Sequence, residues 1–130
     1  MEVLDATLPR NPANRRVYRA EGLDTAKVDN FLAAHRREHP DQPLCLILAD
    51  NGPHVVWERN KIYDPAKLPL PPIMVDTPKT RTALANYYQD ITTVDGRVGE
   101  VMASLDRHGF AANSLFLYTA DQGPEWPHCK

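Results

Sequence analysis

The spacing of apolar residues along the chain predicts a first helix that starts near residue 24. Its apolar face carries four residues at helical spacing: Val28, Phe31, Leu32 and His35. Asp24 or Thr25 can cap the start, because a short side-chain oxygen accepts hydrogen bonds from the free amides of the first turn. The helix should end before Pro40, since the residue preceding a proline is disfavoured in the helical region.

A second, much longer helix is predicted over residues 78–108. Its apolar residues step by three and four along the chain: Leu84, Tyr87, Tyr88, Ile91, Val94, Val98, Val101, Met102 and Leu105. Thr77 can cap it, Pro78 suits the first helical position, and Gly109 is a natural stop. The helix would run roughly 45 Å at 1.5 Å per residue, unless it kinks near Gly96 or Gly99.

Two short apolar runs without alternation, at residues 43–49 and 114–120, are typical of strands covered on both faces. Between the first run and the long helix, residues 53–72 are rich in proline and predict an ordered irregular loop. The order of elements predicts an α/β fold: a parallel βαβ unit with a long crossover helix. Two strands do not complete a sheet of this kind. Residues 1–23 show no periodicity and predict a connecting segment.

Composition narrows the function classes. The chain has 130 residues, 42% of them hydrophobic, and a net charge of -2, which argues against binding to nucleic acid or to an anionic membrane surface. The apolar run 44–48 is far shorter than the ~20 residues of a membrane-spanning helix. An acid at position 2 does not fit a signal peptide. The cysteines read as a buried strand thiol (Cys45) and a tail thiol (Cys129), and do not indicate a redox compartment.

The polar residues that follow the two predicted strands are the candidates for chemistry. Ligands bind at the carboxyl ends of strands in open α/β sheets, and both exits, 50–54 and 119–123, should project to the same edge. They could equally be ordinary turns. Asp121 and Gln122 offer oxygens that suit a hard cation, but two residues cannot supply its ligands alone. His54 is either a surface histidine or a proton donor and anion ligand. A terminal lysine such as Lys130 is normally solvated.

Five motifs in order resemble the sulfatase family across residues 29–130. Residues 43–57, a buried strand leading into Pro-His, resemble its P-H-x-P-W segment, and residues 63–72 resemble its Y-D-P…P-L-P-P loop. The pattern Tyr-Tyr…Asp-Gly-Arg-Val-Gly at 87–99 resembles its long helix. Residues 113–123, ending Thr-Ala-Asp-Gln-Gly, resemble its N-T…T-S-D-H-G strand. Residues 124–130 resemble the continuation in heparan N-sulfatase-like members.

The resemblance implies a partial alkaline-phosphatase-like sulfatase fold, with residues 24–130 as the central, incomplete part of the domain. It implies calcium ligation by Asp121 and Gln122. It places His54 at the sulfate ester, where it can assist the leaving group, and Lys130 on the sulfate. A cation and cationic side chains would stabilise charge on a transferring sulfuryl group. The implied partner is a sulfated carbohydrate, with no nucleic acid and no membrane; sulfatases are often exported.

The departures from the family pattern also shape the prediction. The motif C/S-x-P-x-R, which supplies the formylglycine nucleophile, is absent, as are the adjacent aspartates of the calcium site. Gln122 replaces the commoner His or Asn. We therefore expect part of a calcium-assisted sulfuric ester or sulfamate hydrolase that is inactive alone. The alternatives are a phosphodiesterase or phosphonate hydrolase of the same superfamily, and a non-catalytic α/β interaction module.

Overall fold

Two α-helices organise the part of the chain that a computed structural model describes, residues 22–126. Helix α1 spans Thr25–Glu38 and helix α2 spans Pro78–Arg107. Single turns of 3₁₀-helix lie at Pro65–Lys67 and Ala111–Asn113. The connecting segment predicted at 1–23 falls almost wholly outside the described residues, as do Cys129 and Lys130.

The predicted start of α1 is confirmed by its cap. The Asp24 carboxylate accepts a hydrogen bond from the backbone N–H of Lys27 at 3.1 Å. Val28 and Leu32 on the predicted apolar face are fully buried. The helix ends at Glu38, before Pro40, as the proline requires.

Both predicted ends of α2 are confirmed as well. The Thr77 hydroxyl accepts from the backbone N–H of Thr80 at 3.1 Å, and a proline occupies the first turn. At the other end Gly109 adopts a φ of 71°, the left-handed conformation that glycine tolerates best. There Phe110 N–H donates to the Leu105 carbonyl at 2.8 Å and Gly109 N–H to that of Asp106 at 3.0 Å, which closes a Schellman motif. The helix runs through Gly96 and Gly99 without interruption.

The two helices pack through a small apolar core and one polar contact. The core joins α1 to α2 through four buried side chains: Leu23, Val28, Leu32 and Val101. Beside it the Asp29 carboxylate of α1 accepts hydrogen bonds from Ser104 Oγ at 2.6 Å, Arg107 Nη2 at 2.6 Å and His108 Nε2 at 3.0 Å, all from the end of α2. These bonds, that of Ser104 first, lower the pKa of Asp29 well below its ordinary range.

The predicted βαβ unit is wrong for the described residues. No strand occurs in 22–126, because neither apolar run has a neighbouring segment there with which to form a ladder of backbone hydrogen bonds. Residues 43–49 are instead covered on one face. Leu44, Leu46 and Leu48 pack against the core, while Cys45 and Ile47 are exposed, so the predicted buried position of the Cys45 thiol is also wrong. Residues 114–120 are exposed throughout.

The proline-rich loop is ordered, as predicted, and Arg81 of α2 holds it in place. One guanidinium nitrogen of Arg81 donates to the carbonyls of Pro65, Ala66 and Leu68 at 3.1 Å each. The same guanidinium pairs with both oxygens of Asp76, at 2.6 and 2.8 Å. Neither helix of the described part is long and apolar enough to cross a membrane.

Candidate functional site

The loops that follow the two apolar runs, 50–57 and 121–126, meet in the structure. A single oxygen of Glu125, Oε2, accepts a hydrogen bond from the backbone N–H of Val55 at 3.1 Å. The same oxygen lies 3.6 Å from Nδ1 of His54. The predicted candidate His54 therefore has an acidic neighbour that is far away in sequence.

An aromatic cluster fixes the two loops where they meet. The rings of Trp57 and Trp126 stack with their centroids 4.7 Å apart. Tyr87 of α2 stands edge-on to both, at 5.3 and 5.8 Å. Trp57 Nε1 also donates to the Pro53 carbonyl at 2.9 Å, whereas Trp126 Nε1 is buried without a partner in the described part of the chain. Each loop thus carries one indole of the pair, and both indoles rest against the long helix.

His54 is held on one side of its ring and open on the other. Its Nδ1 lies 2.6 Å from the carbonyl oxygen of Val55. A carbonyl oxygen only accepts, so Nδ1 must carry the proton in this contact. Nε2 has no hydrogen-bond partner among residues 22–126, and the side chain is 47% exposed. The accessible nitrogen is therefore Nε2, which can donate to an anion when the imidazole is protonated.

A small polar cavity of about 50 Å³ lies beside His54. It is lined by eight residues: Gly22, Asn51, Gly52, His54, Val56, Glu58, Asp90 and Arg97. A volume of that size holds a water molecule or two but no sugar. Asp90 of α2 is 7% exposed and makes no hydrogen bond within the described residues. Burial, and then the nearby Glu58 carboxylate, raise the pKa of Asp90, while Arg97 opposes the shift.

The loop exit at residues 50–52 is tied to α2 by an ion pair. Arg97 donates to Asp50 Oδ1 at 3.1 Å and to Oδ2 at 3.2 Å. Asp50 Oδ1 also accepts from the backbone N–H of Gly52 at 3.0 Å, which closes a tight turn. A Cβ on Gly52 would lie 2.5 Å from Val94 Cγ2. Glycine at 52 is therefore explained by close packing of the loop on α2.

The predicted metal ligands do not form a metal site by themselves. Asp121 and Gln122 are exposed and have no hydrogen-bond partner among the described residues. Within 22–126, no three His, Cys, Asp or Glu side chains come together as a metal cluster. Calcium takes about six to eight oxygen ligands, and these two side chains do not fit that requirement alone. Lys130, predicted to contact sulfate, lies outside the described residues.

Sequence reasoning singled out His54 but missed the acids around it, Glu58, Asp90 and Glu125. Asp90 had a readable signal. It lies on the apolar face of α2 between Tyr87 and Val94, at the same helical spacing, and a carboxylate in such a stripe indicates a polar contact inside the fold. No local pattern marked Glu125, because its contacts join loops far apart in the chain.

Comparison with known proteins assigns the family. The family model described as Sulfatase matches residues 3–128. The chain is also similar to YdeN of Escherichia coli (strain K12), described as an uncharacterized sulfatase, with 32% identity over 84 residues. That alignment covers 64% of this chain and 13% of YdeN, so the chain spans a small part of its relative's length. No solved structure matches the chain. Because the family model covers almost all of the 130 residues, the protein belongs to the sulfatase family.

Proposed function

We propose that this chain forms part of a sulfuric ester or sulfamate hydrolase that acts on a sulfated sugar. The observation that carries the proposal is the match of the sulfatase family model to residues 3–128. The sugar substrate is proposed from the resemblance of residues 124–130 to heparan N-sulfatase-like members. The identity with YdeN supports the family and not a particular substrate.

In this proposal His54 contacts the sulfate group and assists departure of the leaving group. Its open Nε2 and half-exposed ring support the role, because a ligand can reach that nitrogen from solvent. A protonated imidazole donates a charge-assisted hydrogen bond to a sulfate oxygen and can protonate a leaving oxygen or nitrogen. Lys130 is proposed to add a second positive charge at the sulfate, where charge develops during transfer.

The chain alone should bind sulfate without turning over a sulfate ester. Sulfuryl transfer needs a nucleophile, and the motif C/S-x-P-x-R that supplies it in the family is absent from the sequence. Asp121 and Gln122 cannot complete a calcium site by themselves. We expect no hydrolysis of an aryl sulfate by this chain, with or without added calcium. Clear activity that survives substitution of Lys130 would contradict this expectation.

The proposed contact is tested by titrating inorganic sulfate into the full chain and following the ring resonances of His54 by NMR. Sodium chloride at matched ionic strength controls for screening. We expect sulfate to move the His54 resonances and the variant H39Q, which removes another exposed histidine, to respond like wild type. Unchanged His54 resonances would refute the contact. Parallel titrations with phosphate and methylphosphonate test the phosphoryl alternative, which tighter binding of either would favour.

A further inference from the structure

We propose that Glu125 is a positioning residue for His54: it fixes the Nδ1 side of the imidazole so that Nε2 is the nitrogen presented to a ligand. The inference rests on the proposed role of His54 in sulfate binding. It adds a residue from the second loop to the site, and neither the family resemblance nor the comparisons assign a role to that residue.

The carboxylate of Glu125 restrains the backbone and the ring together. Oε2 accepts from the Val55 N–H at 3.1 Å, which fixes the peptide that follows His54. The same oxygen lies 3.6 Å from His54 Nδ1, on the side of the ring that faces the Val55 carbonyl. The Glu125 side chain is 26% exposed, so this interaction is partly shielded from water.

The position of Glu125 is itself determined by its neighbour. Trp126 stacks on Trp57 at 4.7 Å, and Trp57 Nε1 donates to the carbonyl of Pro53, the residue before His54. The stacked pair of Trp57 and Trp126 therefore joins the same two loops as the contact between Glu125 and His54. Tyr87 supports both indoles from α2, so the carboxylate is carried by a helix-anchored cluster and not by a free loop end.

Proton placement on His54 follows from the acceptors at Nδ1. The Val55 carbonyl oxygen lies 2.6 Å from this nitrogen, and the Glu125 carboxylate lies on the same side of the ring. Neither group can donate a proton when the carboxylate is ionised, so the neutral ring must be the Nδ1–H tautomer. Free imidazole side chains are under no such constraint. The fraction of the Nδ1–H tautomer of His54 therefore reports whether the acceptors hold the ring in place.

The test compares E125Q with E125A in the full chain. Both variants remove the charge, but only glutamine keeps a carbonyl oxygen that can accept from the Val55 N–H. We expect two-bond ¹H–¹⁵N spectra at alkaline pH to show the Nδ1–H tautomer of His54 in wild type and E125Q. In E125A we expect a mixture of tautomers. The control E38A removes an exposed acid whose ion pair is to Arg37, and should match wild type.

A second readout in the same variants separates this proposal from the proposed function. We expect the sulfate concentration at the midpoint of the His54 titration to be about fivefold higher in E125A than in E125Q. This is the factor that corresponds to the loss of one hydrogen bond, here the one from the Val55 N–H. A tautomer and a sulfate midpoint in E125A equal to those of wild type would overturn the positioning role. A tautomer change in E125A, with no sulfate response in any protein, would instead refute the sulfate contact and leave the positioning intact. Circular dichroism checks that each variant keeps its helices.

Discussion

Substituting alanine for glycine should have opposite effects on stability at two glycines, one inside the long helix and one just after it. Gly109 follows α2 with a φ of 71°, whereas Gly96 lies inside it. We predict that Gly109→Ala lowers the free energy of unfolding and that Gly96→Ala raises it. The same methyl group is added in both variants, so their difference isolates the backbone conformation.

The expected magnitudes follow from the local geometry. At Gly109 the nearest atom to an added Cβ is Arg36 Nη2 at 3.8 Å, an ordinary contact, so the penalty is conformational and not steric. The left-handed conformation costs an L-residue roughly 1–2 kcal/mol, partly offset by about 0.5 kcal/mol from the stiffer unfolded chain. The net loss is about 1 kcal/mol. At Gly96 an added Cβ meets nothing within 4 Å, so the helix gains about 0.8–1 kcal/mol.

The assay is urea unfolding followed by circular dichroism at 222 nm. With a denaturant slope of about 1–3 kcal/mol per molar, the two midpoints should move apart by roughly 1 M. Gly109→Asn is a third variant. Its loss should be smaller than that of Gly109→Ala, because asparagine enters the left-handed region more readily. A neutral or stabilising Gly109→Ala would refute the left-handed cap, and a destabilising Gly96→Ala would refute an uninterrupted exposed helix at that point.

Four further predictions test other contacts. Asp29→Asn should make the free energy of unfolding depend less on pH in acid. Hydrogen bonds lower the pKa of the Asp29 carboxyl in the folded state, so its stabilisation is present above the ordinary pKa of 3.8 and is lost as the pH falls below that value. Unfolding measured over a series of acid pH values would show this. Arg81→Lys should loosen the proline-rich loop, because one ammonium group cannot pair with both oxygens of Asp76 and also donate to three carbonyls. Faster amide hydrogen exchange over residues 60–76 would show the loosening, and unchanged exchange would contradict it. Trp57→Phe should cost about 1 kcal/mol more than Trp126→Phe in urea unfolding, since of the two indole N–H groups only that of Trp57 has a hydrogen-bond partner among residues 22–126. Calcium should bind the chain weakly, and micromolar affinity by calorimetry would refute this.

The features that local sequence predicts well are those whose causes are local. The caps at Asp24 and Thr77 and the stop at Gly109 depend on interactions within one helical turn, and all three occur as predicted. The irregular loop followed in the same way from its prolines. Each of these features depends on residues close in sequence and not on the segments that pack around them.

The predicted strands failed because a strand depends on a neighbour. A continuous apolar run indicates that a segment prefers extended backbone and burial, but not which segment will pair with it. Residues 43–49 meet half of that preference: Leu44, Leu46 and Leu48 turn inward and the alternate side chains face solvent. Among the acids of the candidate site, Glu125 was missed for a related reason. The contact of Glu125 with the Val55 N–H forms only when the two loops meet in the folded chain.

The exposed segment at residues 114–120 has a consequence for handling the protein. Leu115, Leu117 and Tyr118 are 83%, 79% and 67% exposed, and their backbone has no ladder partner in residues 22–126. Unpaired amides beside apolar side chains form a template for intermolecular strand pairing, so we expect the protein to aggregate as its concentration rises. The substitution Leu117→Lys would place a charge in this segment and disfavour intermolecular strand pairing. It would leave the helical core untouched, because the leucine there contributes little burial.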